Sequence, residues 1–282
     1  VNENVLASHI APVGLVEPHA PLLNVPADGQ LLYKMMKSED LLRSITGAYL
    51  HFNRVDSYGD LRNADEHDGQ QLPSDQPSNA MARFERAPDF SAADYYNRSR
   101  SRTYACCFSI ENSEYVWKEY ADESEKGKVC VVFNFGKLRA MLNQVLKPGA
   151  AALEYGGIRC HQIFSVNYGI VEYVEWDSHR ANREHLLNPI RYTYLKDRKR
   201  FSEEKELRIS LSALGVGEYA LNDGTVMNFR ASLQAPFDFR ASFADGTIQQ
   251  ILYGPDCDSN LLCAELRKLR ILPSEEQSLR AD

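Results

Sequence analysis

Alternation of apolar and polar positions is clearest at Leu207-Arg208-Ile209-Ser210-Leu211, where a period of two predicts a strand with one apolar face. Carried back to Glu204, the same register sets Glu204, Glu206 and Arg208 on one face and Leu207, Ile209 and Leu211 on the other. A run of charge ordinarily faces water, so the plain expectation is an edge strand bearing a solvated ladder. Val129-Cys130-Val131-Val132-Phe133 is continuously apolar, the pattern of a central strand buried on both faces. Shorter bursts predict further strands at 30–35, 49–52, 103–109, 157–164, 168–174 and 245–255, with Ser165-Val166-Asn167 separating two of them. A hairpin is expected through Asn222-Asp223-Gly224, since Asp-Gly suits a type I′ turn.

Helical spacing appears between these strands. Ser38 is the expected N-cap of a helix carrying Leu41, Leu42 and Ile45 and closing at Gly47. Ser113 is expected to cap a helix with Tyr115, Val116, Trp117 and Tyr120, and further helices are predicted at 135–146, 177–187 and 259–269. Residues 1–28 hold Pro12, Pro18, Pro21 and Pro26 and predict an extended arm with apolar anchors. A polar stretch over 53–102 predicts a long loop bordering a site, followed by a short helix near 92–96. Beyond Pro273 a tail, 273–282, is expected to fray, which leaves 29–272 as one domain. Strands and helices mix without regular βαβ alternation, so the class is α+β.

Composition narrows this picture modestly. The 282 residues are 44% hydrophobic and 25% charged with a net charge of −7, which argues against a surface that grips nucleic acid throughout but leaves room for a local basic groove. Cys106, Cys107, Cys130, Cys160, Cys257 and Cys263 form no CxxC pair and no zinc-like spacing with histidine. Reduced thiols and a cytoplasmic location are therefore expected. No apolar run reaches the roughly 20 residues of a bilayer span, and Val1-Asn2-Glu3-Asn4 opens no signal-peptide pattern; no membrane partner is expected.

Phosphate-loop, GxGxxG, HExxH and GxSxG patterns are absent. His67, between Glu66 and Asp68, and His161, within a predicted strand, read as a solvated loop residue and a structural histidine, and no metal ligand is assigned. The combination that carries chemistry is Lys34, Ser109 and Glu206, each on a predicted strand and widely separated in the chain.

Leu32-Tyr33-Lys34-Met35, then Cys107-Phe108-Ser109 with Trp117 and Tyr120, then Lys196, Phe201 and Glu204-Lys205-Glu206-Leu207-Arg208, then Ile248-Gln249-Gln250-Ile251-Leu252-Tyr253-Gly254-Pro255 occur in that order. Together they resemble the bacterial family known as domain of unknown function 2971, over roughly residues 30–270. The order of a basic residue, an aromatic with Ser, and Glu-x-Glu on successive strands more distantly resembles ADP-ribosyltransferases. That resemblance implies a single α+β domain with a split, mixed or antiparallel β core flanked by helices. It also implies NAD as co-substrate, with Tyr33, Lys34, Ser109 and Arg208 in the cofactor pocket, Glu206 as the catalytic carboxylate and Glu204 activating an acceptor, protein or nucleic acid. Lys34 departs from the usual Arg or His of that superfamily and lacks arginine's bidentate fork. A role as a toxin or defence effector would follow. The competing expectations are a protein-interaction module docking through the charge ladder, and a metal-dependent enzyme acting on nucleic acid through the acidic 56–68 segment with Glu204 and Glu206.

Overall fold

Nine strands make one large sheet in this computed structural model, which describes residues 15–60, 65–121, 124–146, 153–155, 158–160, 163–181, 188–213, 218–220, 226–228 and 231–272. In chain order they are β1 (Leu15–Val16), β2 (Leu31–Lys37), β3 (Tyr49–Arg54), β4 (Thr103–Ser109), β5 (Lys128–Asn134), β6 (Ile163–Ile170), β7 (Glu206–Ala213), β8 (Ser232–Pro236) and β9 (Ile248–Tyr253). The hydrogen-bonded path runs β1-β6-β7-β4-β2-β5-β9, and β3 also pairs with β4 and carries β8. Apart from the parallel β1–β6 pair, the ladders are antiparallel. The chain is thus an α+β domain with a mixed sheet flanked by helices.

The sheet forks at β4. β2 meets β4 at Tyr33↔Ser109, whereas β3 meets the same strand at Asn53↔Ala105 and Arg54↔Tyr104. Between them, β2 and β3 diverge around the helix that joins them, α1 (Ser38–Gly47).

One face of the sheet is apolar. Leu32, Phe52, Phe108, Val131, Phe133, Leu207, Ile209 and Leu211 form a single buried cluster with Leu41 of α1. Phe135, Leu138 and Leu142 of α2 (Phe135–Val145) and Leu262 and Leu266 of α3 (Ser259–Lys268) join the same cluster. Each of those side chains removes apolar area worth roughly 1.5–3 kcal/mol from water. The opposite face is covered by a second layer built from 65–102, 172–181 and 188–197. That layer has its own apolar cluster of Leu72, Ala92, Tyr96, Val174, Tyr192 and Leu195.

Local expectations stand corrected at several points. β7 is an interior strand between β6 and β4, not a solvated edge. It begins at Glu206, because Lys205 takes a left-handed conformation (φ 47°) and Glu204 sits in the preceding 3-10 turn Ser202–Glu204. Ser38 is the first residue of α1 rather than its cap; its Oγ donates to the Gly127 carbonyl at 2.7 Å. Gly47 lies inside that helix, and Ala48, in the left-handed region, ends it. No break occurs at 165–167, which lie inside β6. The 53–102 segment is less a loop than a small layer: it holds the helix Gln76–Met81, the hairpin Arg83–Phe84/Ala87–Ser91, and the capped helix Ala92–Ser101. Of the helix expected at 177–187, residues 177–181 form a turn and irregular backbone and 182–187 lie outside the described residues. So do residues 1–14 of the arm, the 222–224 turn, His161 and the 273–282 tail. The described end of the arm is docked: Leu15 and Val16 pair with β6, and Glu17 takes two bonds from Arg139 at 2.6 and 2.7 Å.

Candidate active site

Strand alternation decides what faces the second layer. Tyr33 and Glu206 are both Cα partners of Ser109, so the three stand level on adjacent strands and share a face. Cys107 and Arg208 follow them on that face, as do His51, Asn53 and Gln234 from β3 and β8. Over these residues and through the fork between β2 and β3 lies a cavity of about 660 Å³. Lys34 has the opposite parity, opposite Val131 on the apolar side. It lines the cavity through the fork, where its Nζ donates to the Cys107 carbonyl at 3.2 Å and lies 5.1 Å from the centre of the Phe108 ring. The ammonium thus occupies the place where an unforked sheet would offer a strand N–H. Tyr33, Ser109, Glu204, Glu206 and Arg208 line the same cavity.

At its floor is a buried chain of charge. Arg208 is fully buried and grips Asp68 with two bonds (2.5 and 2.9 Å), Glu206 with two more (2.8 and 3.1 Å), and the Thr193 carbonyl at 2.6 Å. Lys196 bridges Glu206 at 2.8 Å and Glu204 at 2.7 Å. Tyr120, at the end of the short helix Glu114–Glu119, donates its phenol to Glu204. Ser109 braces the turn from behind, its Oγ donating to the Glu204 backbone carbonyl at 2.8 Å. Gly169, the cross-strand partner of Arg208, leaves room for the cover: a Cβ there would stand 2.9 Å from the Tyr194 ring. The Tyr194 hydroxyl meets Ser210 at 2.9 Å, and that of Tyr173 accepts from the Glu206 N–H at 2.8 Å.

Two cations here face three carboxylates, and that imbalance separates the acids. Burial pushes the Glu206 carboxyl up, but the adjacent Arg208 and Lys196 outweigh it and hold Glu206 well below the usual range. Burial wins for Glu204 and Asp68, which are raised despite Lys196 and Arg208 respectively. One carboxylate fixed as an anion beside one nearer neutrality is the division of labour seen in acid–base sites. Burial and the neighbouring Glu206 push the Cys107 thiol well up, which disfavours its thiolate.

No protein-family model, curated protein or solved structure matches the chain.

Sequence reasoning singled out Glu204, Glu206 and Arg208 together, and the structure brings them into one chain of contacts, with Glu204 arriving from the turn rather than the strand. It reached Asp65 and Asp68 only as part of the acidic 56–68 segment expected to hold a metal with Glu204 and Glu206, and it missed Lys196 as a buried bridge and Tyr120 as a partner of Glu204. For Lys196 the signal was weak: Leu195 and Lys196 are buried while Arg198, Lys199 and Arg200 are exposed, so one basic run divides between core and solvent. Among the described residues, no group of three or more His, Cys, Asp or Glu is arranged to hold a metal ion.

Proposed function

We propose that the cavity binds NAD and that the chain is an ADP-ribosyltransferase-like enzyme, with a toxin or defence role against an acceptor protein or nucleic acid. The observation that carries the reading is the level row Tyr33–Ser109–Glu206 across three adjacent strands at a fork in the sheet, with Glu206 held as an anion by Arg208 and Lys196. Breaking the bond between nicotinamide and ribose leaves the electron pair on nicotinamide and positive charge on the ribose. A fixed carboxylate is complementary to that charge. Glu206 supplies it. Glu204, whose carboxyl is raised by burial so that its anion is the stronger base, takes the proton of the attacking acceptor group. Ser109 holds the Glu204 turn, Tyr33 and Lys34 border the cofactor, and Arg208 orients Glu206.

Nicotinamide release from NAD by the purified chain is the direct test. Glu206→Gln should lower it on the order of 10²–10³-fold, the loss typical of removing one preorganised electrostatic group, with a smaller loss for Glu204→Gln. Full activity of Glu206→Gln, or no thermal stabilisation of the wild type by NAD at millimolar concentration, would sink the reading.

A further inference from the structure

Asp65 lies outside the charge chain and has a different character. It is 2% exposed and lines the cavity. Its Oδ1 accepts the His67 backbone N–H at 2.9 Å, which fixes the carboxylate's orientation. Its Oδ2 is buried and finds no hydrogen-bond partner among the described residues. A buried carboxylate oxygen left unpaired destabilises a fold, and Arg100, the cation that feels the Asp65 charge, donates instead to the backbone carbonyls of Asp68 and Glu66. The cost is understandable if the partner arrives with a ligand.

We infer that Asp65 is a ligand-reading residue whose Oδ2 accepts one hydrogen bond from a neutral donor, a hydroxyl or amide N–H, of the molecule in the cavity. One oxygen is committed to His67, so the carboxylate offers a single acceptor rather than a fork. That suits one hydroxyl or amide better than a guanidinium, and a ligand fragment that is purely anionic is repelled. The inference rests on the NAD reading for the identity of the ligand, where the donor is either a ribose hydroxyl or the nicotinamide amide.

Asp65→Asn keeps an oxygen for His67 and replaces Oδ2 with a donor, so it reverses the recognition while preserving the local turn. Titration calorimetry with NAD, ADP-ribose and nicotinamide, beside thermal melts of unligated protein, tests it. NAD binding should weaken at least tenfold while the unligated Tm stays unchanged or rises. A parallel loss for ADP-ribose assigns the donor to ribose, and a loss for nicotinamide assigns it to the amide. Equal NAD binding by wild type and variant overturns the inference and leaves the transferase reading standing. A Tm lowered by several degrees without ligand overturns it as well, since Asp65 would then be structural. A wild type that binds none of the three compounds overturns both.

Discussion

On one face of β7, Leu207, Ile209 and Leu211 are fully buried in the apolar core; on the other, Glu206, Arg208 and Ser210 are buried to the same depth. Equal burial does different physical work on the two sides. Apolar area taken from water stabilises the fold wherever it finds carbon neighbours, and tolerates swaps of similar volume. Buried ions gain little net stability, because desolvation offsets most of their attraction, yet breaking one contact exposes the full cost of the stranded partner. The apolar face thus makes the domain stable. The charged face ties the second layer to the sheet at defined points, Asp68 and Thr193 on Arg208 and Lys196 on Glu206, and leaves a charged floor to the cavity.

Arg208→Met should be the most damaging single change. It strands Asp68 and Glu206, and chemical denaturation should show a loss of about 3–5 kcal/mol. Adding Glu206→Gln to that variant should recover part of the loss, and a strictly additive double mutant would show that the two do not act as a pair.

Acid titration separates the carboxylates of the charged face from one another. Glu204 and Asp68 have raised carboxyls, so as pH falls the folded state binds their protons before the unfolded chain does, and stability rises through that window. Glu206 is depressed: its contribution is present above the ordinary carboxyl value of 4.5 and is lost as pH falls toward its lower folded value. Stability measured by urea denaturation should therefore peak on the acid side of neutrality. In Glu206→Gln the fall on the far side should be shallower; an unchanged profile would remove Glu206 from the account.

On the apolar face, Ile209→Val deletes one methyl group and should cost about 0.5–1.5 kcal/mol. Least affected should be Lys199→Ala in the same basic run as Lys196. Lys199 is exposed, its contact with Glu175 is 3.5 Å long, and a change within about 0.5 kcal/mol is expected. A loss as large as that of Lys196→Met would mean the run is not divided between interior and solvent.

Much of the local structure was legible in the chain. The 207–211 alternation, the apolar run of β5 and the Ser113 cap, which accepts from the Val116 N–H at 3.3 Å, each depend on neighbours a few residues away. The helix starting at Ser38 was found, but its cap was misplaced, because the Ser38 hydroxyl turns to the carbonyl of Gly127, a contact 89 residues distant. The Lys34–Ser109–Glu206 combination was right about the strands and inexact about one side chain. Which of Tyr33 and Lys34 shares a face with Ser109 depends on pairing register, and β2 is too mixed in polarity to declare it.

The alternation alone sets Glu206 and Arg208 side by side over an apolar face, since a period of two is local chemistry. That this charged face meets a second layer instead of water is a matter of long-range packing. The reason is that burial is set by what packs on top: Asp68 comes from 140 residues earlier in the chain, and Tyr120 reaches Glu204 across 84 residues. No local pattern carries that information, and with it the same charges change from a solvated ladder into the floor of a cavity.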